Sequence, residues 1–311
     1  MTKVDLITGF LGSGKTTFLK LYVKYLLKKS EKIGIIENDY GAVNVDMMLL
    51  SELSDLGCEV ETIAGACDLD CHKRRFKTKL IALGMQKLDR VVIEPSGIFD
   101  VDEFFDILHE EPLDSWYEIG SVIAVADALE LSALSKESSY LLASQTANAG
   151  AVVLSKTQFS DENKINEKIQ QINEALKAVN CSKKLGDNVI KKNWSDFTDD
   201  DFEKIESCGY ELFDYTKNAL PSNAYSSLYF MNNDINPLEI REISHKLFSG
   251  KEYGSIFRIK GFLKQDENWL ELNATEKQFD LSPKDNGQDI IIVIGENLNE
   301  EKIKEVFKNE A

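Results

Sequence analysis

Short, almost uninterrupted apolar runs recur through the first half of the chain: "VDLIT" (4–8), "IGIIE" (33–37), "RVVIE" (90–94), "SVIAVAD" (121–127) and "AVVLS" (151–155). A strand with one wet face alternates polar and apolar positions. These runs do not, so each predicts a strand covered on both faces, as in a parallel sheet. Between them the period lengthens. In "TTFLKLYVKYLLKK" (16–29), Phe18, Leu19, Tyr22, Val23, Leu26 and Leu27 fall on one stripe with lysines opposite, which predicts an amphipathic helix. Ile165, Ile169, Ile172, Leu176 and Val179 repeat that spacing within 161–180. The alternation predicts an α/β fold with a doubly wound, mostly parallel sheet.

The texture changes after position 215. "TKNALPSNAYSS" (216–227) is polar and turn-rich and reads as a linker. Strand-like runs then follow one another: "LYFM", "SIFRIKGFL", "NWLELNA", "KQFDL" and "DIIIVIG", with a short helix from position 299. The expected organisation is an α/β domain over 1–215, a linker over 216–227, and a small α+β domain over 228–311.

Composition narrows the partners. The 311 residues suit two domains. Acidic residues outnumber basic ones by 53 to 36, a net charge of −17. Phosphate backbones and anionic lipid surfaces would be repelled, so neither nucleic acid nor a membrane is the expected partner. "CHKRRFKTK" (71–79) is the one obvious basic stretch. The five cysteines are odd in number and sparse, which excludes a disulfide framework. The first residues carry an aspartate and enter a strand pattern at once. With no apolar run of transmembrane length, the expectation is a soluble cytoplasmic protein. The sequence is compatible with an oligomer.

"GFLGSGKTTF" (9–18) changes the picture most. It fits G-x-x-x-x-G-K-[ST] between a strand and a helix, the context that motif requires. Glycines let the backbone curl until successive N–H groups face a phosphate. The helix N-terminus adds its positive end. Lys15 brings a cation to the β/γ-phosphates and the Thr16 hydroxyl reaches Mg²⁺. Gly9, Gly12, Ser13, Gly14, Lys15, Thr16 and Thr17 are the expected phosphate-binding residues. "RVVIEPSGIFD" supplies Glu94 at a strand end, to hold Mg²⁺ directly or through its water. It also supplies Gly97, whose N–H suits a γ-phosphate contact that hydrolysis would break. Lys15 and Glu94 are thus the catalytic candidates. The acidic loop "ENDYGAVNVD" (37–46) places Glu37, Asp39 and Asp46 where they would line the site or form a moving switch; a solvated acidic turn accounts for them equally well.

Taken in order, "GFLGSGKTT", "IENDYGAVNVD", "VVIEPSGI" and "VADA" resemble the CobW-like family of P-loop GTPases, relatives of the urease and hydrogenase nickel-insertion GTPases. "GSIFRIKGFL" and "DIIIVIGENL" resemble that family's small second domain, so the likeness covers nearly the whole chain. It implies GTP binding, slow hydrolysis, and a role in delivering or inserting a metal or metal cofactor into a client metalloprotein or cofactor enzyme.

Two departures from the family pattern stand out. Where the family carries N-K-x-D to read guanine, this chain has Ser155, Lys156, Thr157 and Gln158. Glutamine offers one carbonyl acceptor and no charge, so it does not reproduce the two-pronged carboxylate contact. Ser155, Lys156 and Gln158 remain the candidate base-site residues, for GTP or another nucleoside triphosphate. The family's C-x-C-C cluster is respaced here as "GACDLDCHKRR", with Cys67, Cys71 and His72. Two thiolates and an imidazole suit Zn²⁺ or another transition metal. Cys58 is a further candidate ligand, while a buried structural role for the cysteines is the alternative. His109 and His245 are isolated and read as surface or capping residues. Trp116, Trp194 and Trp269 read as core or interface residues.

The expected function is therefore a P-loop nucleoside triphosphatase, GTPase-like, acting as a metallochaperone or insertion factor. One alternative is a nucleotide-dependent assembly or activator protein for a metalloenzyme, without a metal site of its own. Another is a nucleotide-binding module with negligible turnover.

Overall fold

A computed structural model describes residues 1–38, 45–63, 69–99, 101–131, 134–186, 188–217, 225–231, 235–265, 268–285 and 287–308. The chain divides into two compact units, Met1–Asn218 and Ala219–Ala311.

The first unit runs β1 (Thr2–Thr8), α1 (Lys15–Lys28), β2 (Ile33–Asn38), α2 (Val45–Asp55), β3 (Glu59–Ile63), α3 (Leu69–Gly84), β4 (Arg90–Glu94), α4 (Val101–Leu108), α5 (Leu113–Trp116), β5 (Tyr117–Asp127), α6 (Lys136–Ala147), β6 (Ala151–Ser155), α7 (Glu162–Ala178), β7 (Val189–Ile190) and α8 (Asp199–Glu206). Its strands form one sheet in the order β3-β2-β4-β1-β5-β6-β7, every pairing parallel. All five residues of β4 and of β6 are buried, as their unbroken apolar runs require. The stripe on α1 packs Phe18, Leu19, Tyr22, Val23 and Leu26 into one core with Ile7, Ile35, Val92, Ile123, Val125 and Val153 from the sheet.

The order of the strands places the site. From β1 the chain steps out on one side to β2 and β3, returns to insert β4 between β2 and β1, then crosses to the other side through β5, β6 and β7. The end of β1 is thus next to the point where the winding reverses, where open α/β sheets leave a crevice beyond their strand ends.

At the other end of β4 a buried charge cluster ties elements together. Arg90 meets Asp5 at 2.6 Å, Glu206 at 2.7 Å and Glu31 at 2.9 Å. Tyr22 Oη donates to Asp5 Oδ2 at 2.7 Å and Ser121 N donates to Asp5 Oδ1 at 2.8 Å. Asp5 and Arg90 are buried, and this many donors to the one and acceptors for the other are what such charges need away from water.

The second unit contains β8 (Tyr225–Met231), α9 (Glu239–Ser249), β9 (Ser255–Gln265), β10 (Asn268–Ala274), β11 (Phe279–Lys284), β12 (Ile290–Glu296) and α10 (Glu300–Lys308). Its strands pair antiparallel in the order β11-β10-β9-β12-β8. Ile240, Ile243 and Leu247 of α9 share a core with Ile303, Val306 and Phe307 of α10 and with Ile259, Leu272 and Val293 of the sheet. Tyr225–Ser227, read from sequence as the end of the linker, are the first residues of β8.

Candidate nucleotide site

The turn between β1 and α1 is built on three glycines with left-handed or extreme φ: Gly9 at 145°, Gly12 at 73° and Gly14 at 97°. At Gly9 a Cβ would stand 2.2 Å from the Val125 carbonyl oxygen. Only a residue without a side chain lets the loop lie this close to β5. Gly14 caps α1 and offers no side chain of its own to the helix N–H groups there. Those first-turn donors are the natural partners of an anion.

Side chains complete the loop. Lys15 is 7% exposed, and its Nζ donates to the carbonyls of Gly9 at 3.0 Å and Phe10 at 3.3 Å. The Ser13 and Thr8 hydroxyl oxygens are buried with no hydrogen-bond partner among the described residues. Orphaned polar groups of this kind cost roughly 1–3 kcal/mol each, and a phosphate oxygen or bound water would satisfy them. Thr17 is exposed on the first turn of α1.

Thr16 Oγ1 donates to Glu94 Oε1 at 2.8 Å across 78 residues of sequence. Glu94 ends β4, and the parallel register sets Glu37, at the end of β2, directly opposite it. A hydroxyl and a carboxylate beneath the phosphate loop are hard oxygen donors, the chemistry Mg²⁺ prefers. The residues therefore fit that ion. Beyond Glu94 the chain turns at Gly97, where a Cβ would stand 2.6 Å from Leu11 N. Gln145 Nε2, on α6, donates to Gly97 O at 2.9 Å. The loop after β4 is thus held against the phosphate loop on one side and α6 on the other.

The loop expected to read the base lies at the end of β6. Ser155 is buried there, and Lys156 adopts a left-handed φ of 58°. Its Nζ meets Asp127 Oδ2, at the end of β5, at 2.6 Å. Gln158 is exposed on the single 3₁₀ turn Thr157–Phe159.

The metal candidates are placed unevenly. Asp39 and Cys67 lie outside the described residues; Cys71 and His72 belong to the first turn of α3. Cys58 is a correction. It is 5% exposed within the core formed by α1, α2 and the sheet, and burial pushes its thiol up to about 11. A thiol held protonated inside the core is no ready metal ligand. His109 and His245 are exposed. Sequence reasoning gave no site role to Gln145, Asp127 or Trp194. The first two reach the site only through the fold, and Trp194 packs on Gly14, within 3.1 Å of where a Cβ would be.

Comparison with known proteins gives the family. Residues 3–185 match the CobW/HypB/UreG nucleotide-binding domain, and residues 231–310 match the cobalamin synthesis protein CobW C-terminal domain. Among curated proteins, the zinc chaperone YjiA of Escherichia coli is 32% identical over 184 residues, covering 55% of this chain and 54% of that protein. The zinc chaperone YeiR of the same organism is 31% identical over 158 residues, covering 50% and 47%. The chain thus spans about half the length of these two relatives. A solved structure of Zn(II)-bound YjiA GTPase from E. coli aligns over 100% of this chain and 99% of that one, with 21% identity and a TM-score of 0.36.

Proposed function

Since the chain belongs to the CobW/HypB/UreG family, we propose that it is a nucleoside triphosphatase of the GTPase type that works as a metallochaperone or metal-cofactor insertion factor. Its cargo is Zn²⁺ or another transition metal, and its partner is a client metalloprotein or cofactor enzyme. The observation that carries the reading is the 2.8 Å hydrogen bond between Thr16 and Glu94 beneath the phosphate loop. The zinc chaperone relatives support the choice of cargo.

The chemistry follows from the residues. Thr16 and Glu94 would hold Mg²⁺, which supplies charge neutralisation to the phosphate oxygens when bound. Lys15 and the first-turn N–H groups of α1 bind the β/γ-phosphates and oppose the charge that grows as water attacks the γ-phosphorus. Gly9 and Gly14 give the loop its curvature, and Gly12 and Ser13 its inward face. Gly97 offers its N–H to the terminal phosphate, a hydrogen bond that has no acceptor once that phosphate leaves. Release of this loop, and of the acidic loop after β2, then changes the affinity for cargo held by Cys67, Cys71 and His72 with Glu37.

The test has two arms. Phosphate release is measured with GTP and ATP, with and without Mg²⁺, in the wild type and in Lys15→Ala. Zn²⁺ titration is measured in the wild type, Cys67→Ser and Cys71→Ser, with and without a non-hydrolysable triphosphate. About one ion per chain is expected, weakened in each cysteine variant and shifted by the triphosphate; by linkage the two ligands alter each other's affinity by one factor. Wild-type turnover in Lys15→Ala overturns the phosphate assignment. Unchanged metal binding in both cysteine variants leaves an assembly protein whose docking is set by nucleotide state.

A further inference from the structure

The phosphate loop has two flanks with different neighbours. On one, Thr16 reaches Glu94 and Leu11 meets Gly97, so the cation and the terminal phosphate belong toward β4. On the other, Gly14 abuts β6 and the segment after β7. A Cβ on Gly14 would stand 3.1 Å from Trp194 Cη2, and 3.5 Å from both Trp194 Cζ3 and Ser155 Cβ. A nucleotide with its terminal phosphate on the β4 flank therefore runs its nucleoside end toward Ser155, Lys156 and Trp194.

Trp194 is held there rather than swallowed by the core. Its ring meets Phe18 of α1 edge-on, with centroids 5.4 Å apart and planes at 60°. The residue is partly buried, and its Nε1 is buried with no hydrogen-bond partner among the described residues. A tryptophan placed only for packing normally has its N–H satisfied. Lys156 is fixed in turn by Asp127, while Gln158, at the position that would read the base edge, is exposed.

We propose that Trp194 walls the nucleoside end of the site and binds a purine through its flat face. This rests on the triphosphatase reading and adds its substrate range. Every purine has a π-face, so recognition by stacking discriminates little between guanine and adenine. The edge interactions that would discriminate are the ones Gln158 lacks.

The chain has three tryptophans, so intrinsic fluorescence can assign the stacking partner. Non-hydrolysable GTP and ATP analogues are expected to change the emission of the wild type. The change should persist when Trp116 and Trp269 are both replaced by Phe and vanish in Trp194→Phe. In calorimetry, Trp194→Ala should weaken both analogues by about tenfold or more, and by the same factor. If neither analogue binds the wild type, the triphosphatase reading fails. If both bind the wild type and the fluorescence change survives in Trp194→Phe, or Trp194→Ala binds as tightly as the wild type, the assignment of Trp194 alone is overturned. A loss confined to the GTP analogue overturns face recognition. The Trp194→Phe arm decides the question should Trp194→Ala fail to fold.

Discussion

Glu37 and Glu94 are Cα partners at the ends of adjacent parallel strands, one 3% and the other 6% exposed. Two carboxylates brought together out of water repel, and a nearby cation favours the charged form of each. Thr16 marks Glu94 as the member on the phosphate side. Glu37 stands one strand further out, beside β3, whose end at Ile63 comes four residues before Cys67. Glu94→Gln keeps an oxygen for the Thr16 hydroxyl but removes the charge. It is expected to lower Mg²⁺-dependent phosphate release by about 10²-fold or more. Glu37→Gln is expected to act more strongly on Zn²⁺ affinity than on turnover. Wild-type phosphate release in Glu94→Gln would falsify the assignment.

Gly97→Ala tests the loop after β4. The added methyl would stand 2.6 Å from Leu11 N, so the loop has to move off the phosphate loop. Nucleotide affinity is expected to change by only a few-fold, because Lys15 and the α1 N-terminus are untouched, while turnover falls by about 10²-fold. Gly57→Ala is the control. That position has a positive φ, 93°, but none of the described residues comes within 4 Å of its Cβ position, so it should affect stability alone. Equal turnover in wild type and Gly97→Ala would remove Gly97 from the mechanism.

Base choice is open to direct measurement. A charged hydrogen-bond pair contributes about 1.5–3 kcal/mol, and Gln158 forgoes it. The ratio of GTP to ATP affinity is expected to lie below about a hundredfold in the wild type and to rise in Gln158→Asp by about tenfold. Strong guanine selectivity in the unmodified protein would mean that another group reads the base edge.

Cys58 carries a pH prediction. Its thiol is pushed up to about 11 by burial, against about 8.5 in an unfolded chain. The folded state therefore keeps the proton longer than the unfolded state does. That contribution is full below about pH 8.5 and is lost as pH rises through about 11. Urea midpoints from pH 7 to 10.5 should fall for the wild type, and the gap to Cys58→Ala should narrow with pH. Cys208 is raised in the same way and is common to both proteins, so the difference isolates Cys58. Zn²⁺ stoichiometry should be the same in the two. A lower stoichiometry in Cys58→Ala would return Cys58 to the ligand set.

What could be read from the sequence was what neighbours along the chain decide. β1, β2, β4, β5 and β6 announce themselves because strands covered on both faces need unbroken apolar runs. β3, "EVETI", gave no such signal; it is an edge strand with glutamates at its first and third positions and only Ile63 fully buried. The two residues of β7 are too few for any period to show. The phosphate loop and Glu94 were legible because each is a local motif whose spacing carries its own chemistry. Gln145, 48 residues from Gly97, and Trp194, far along the chain from Gly14, enter through packing between elements, and one sequence holds no local trace of that. Cys58 misled for the converse reason: its distance from Cys67 in sequence says nothing about the core wall between α2 and β3 that encloses it.

Arg90 and Glu94 are the two ends of a strand only five residues long. The first is bolted to Asp5, Glu31 and Glu206, hence to β1, to α8 and to the segment before β2. The second touches the phosphate loop. β4 is therefore held at both ends, at Arg90 by the ion cluster and at Glu94 by Thr16 and by its register with β2. An Arg90→Met substitution that left the fold intact would take from Asp5, Glu31 and Glu206 the cation they share, and slacken the strand that carries Glu94.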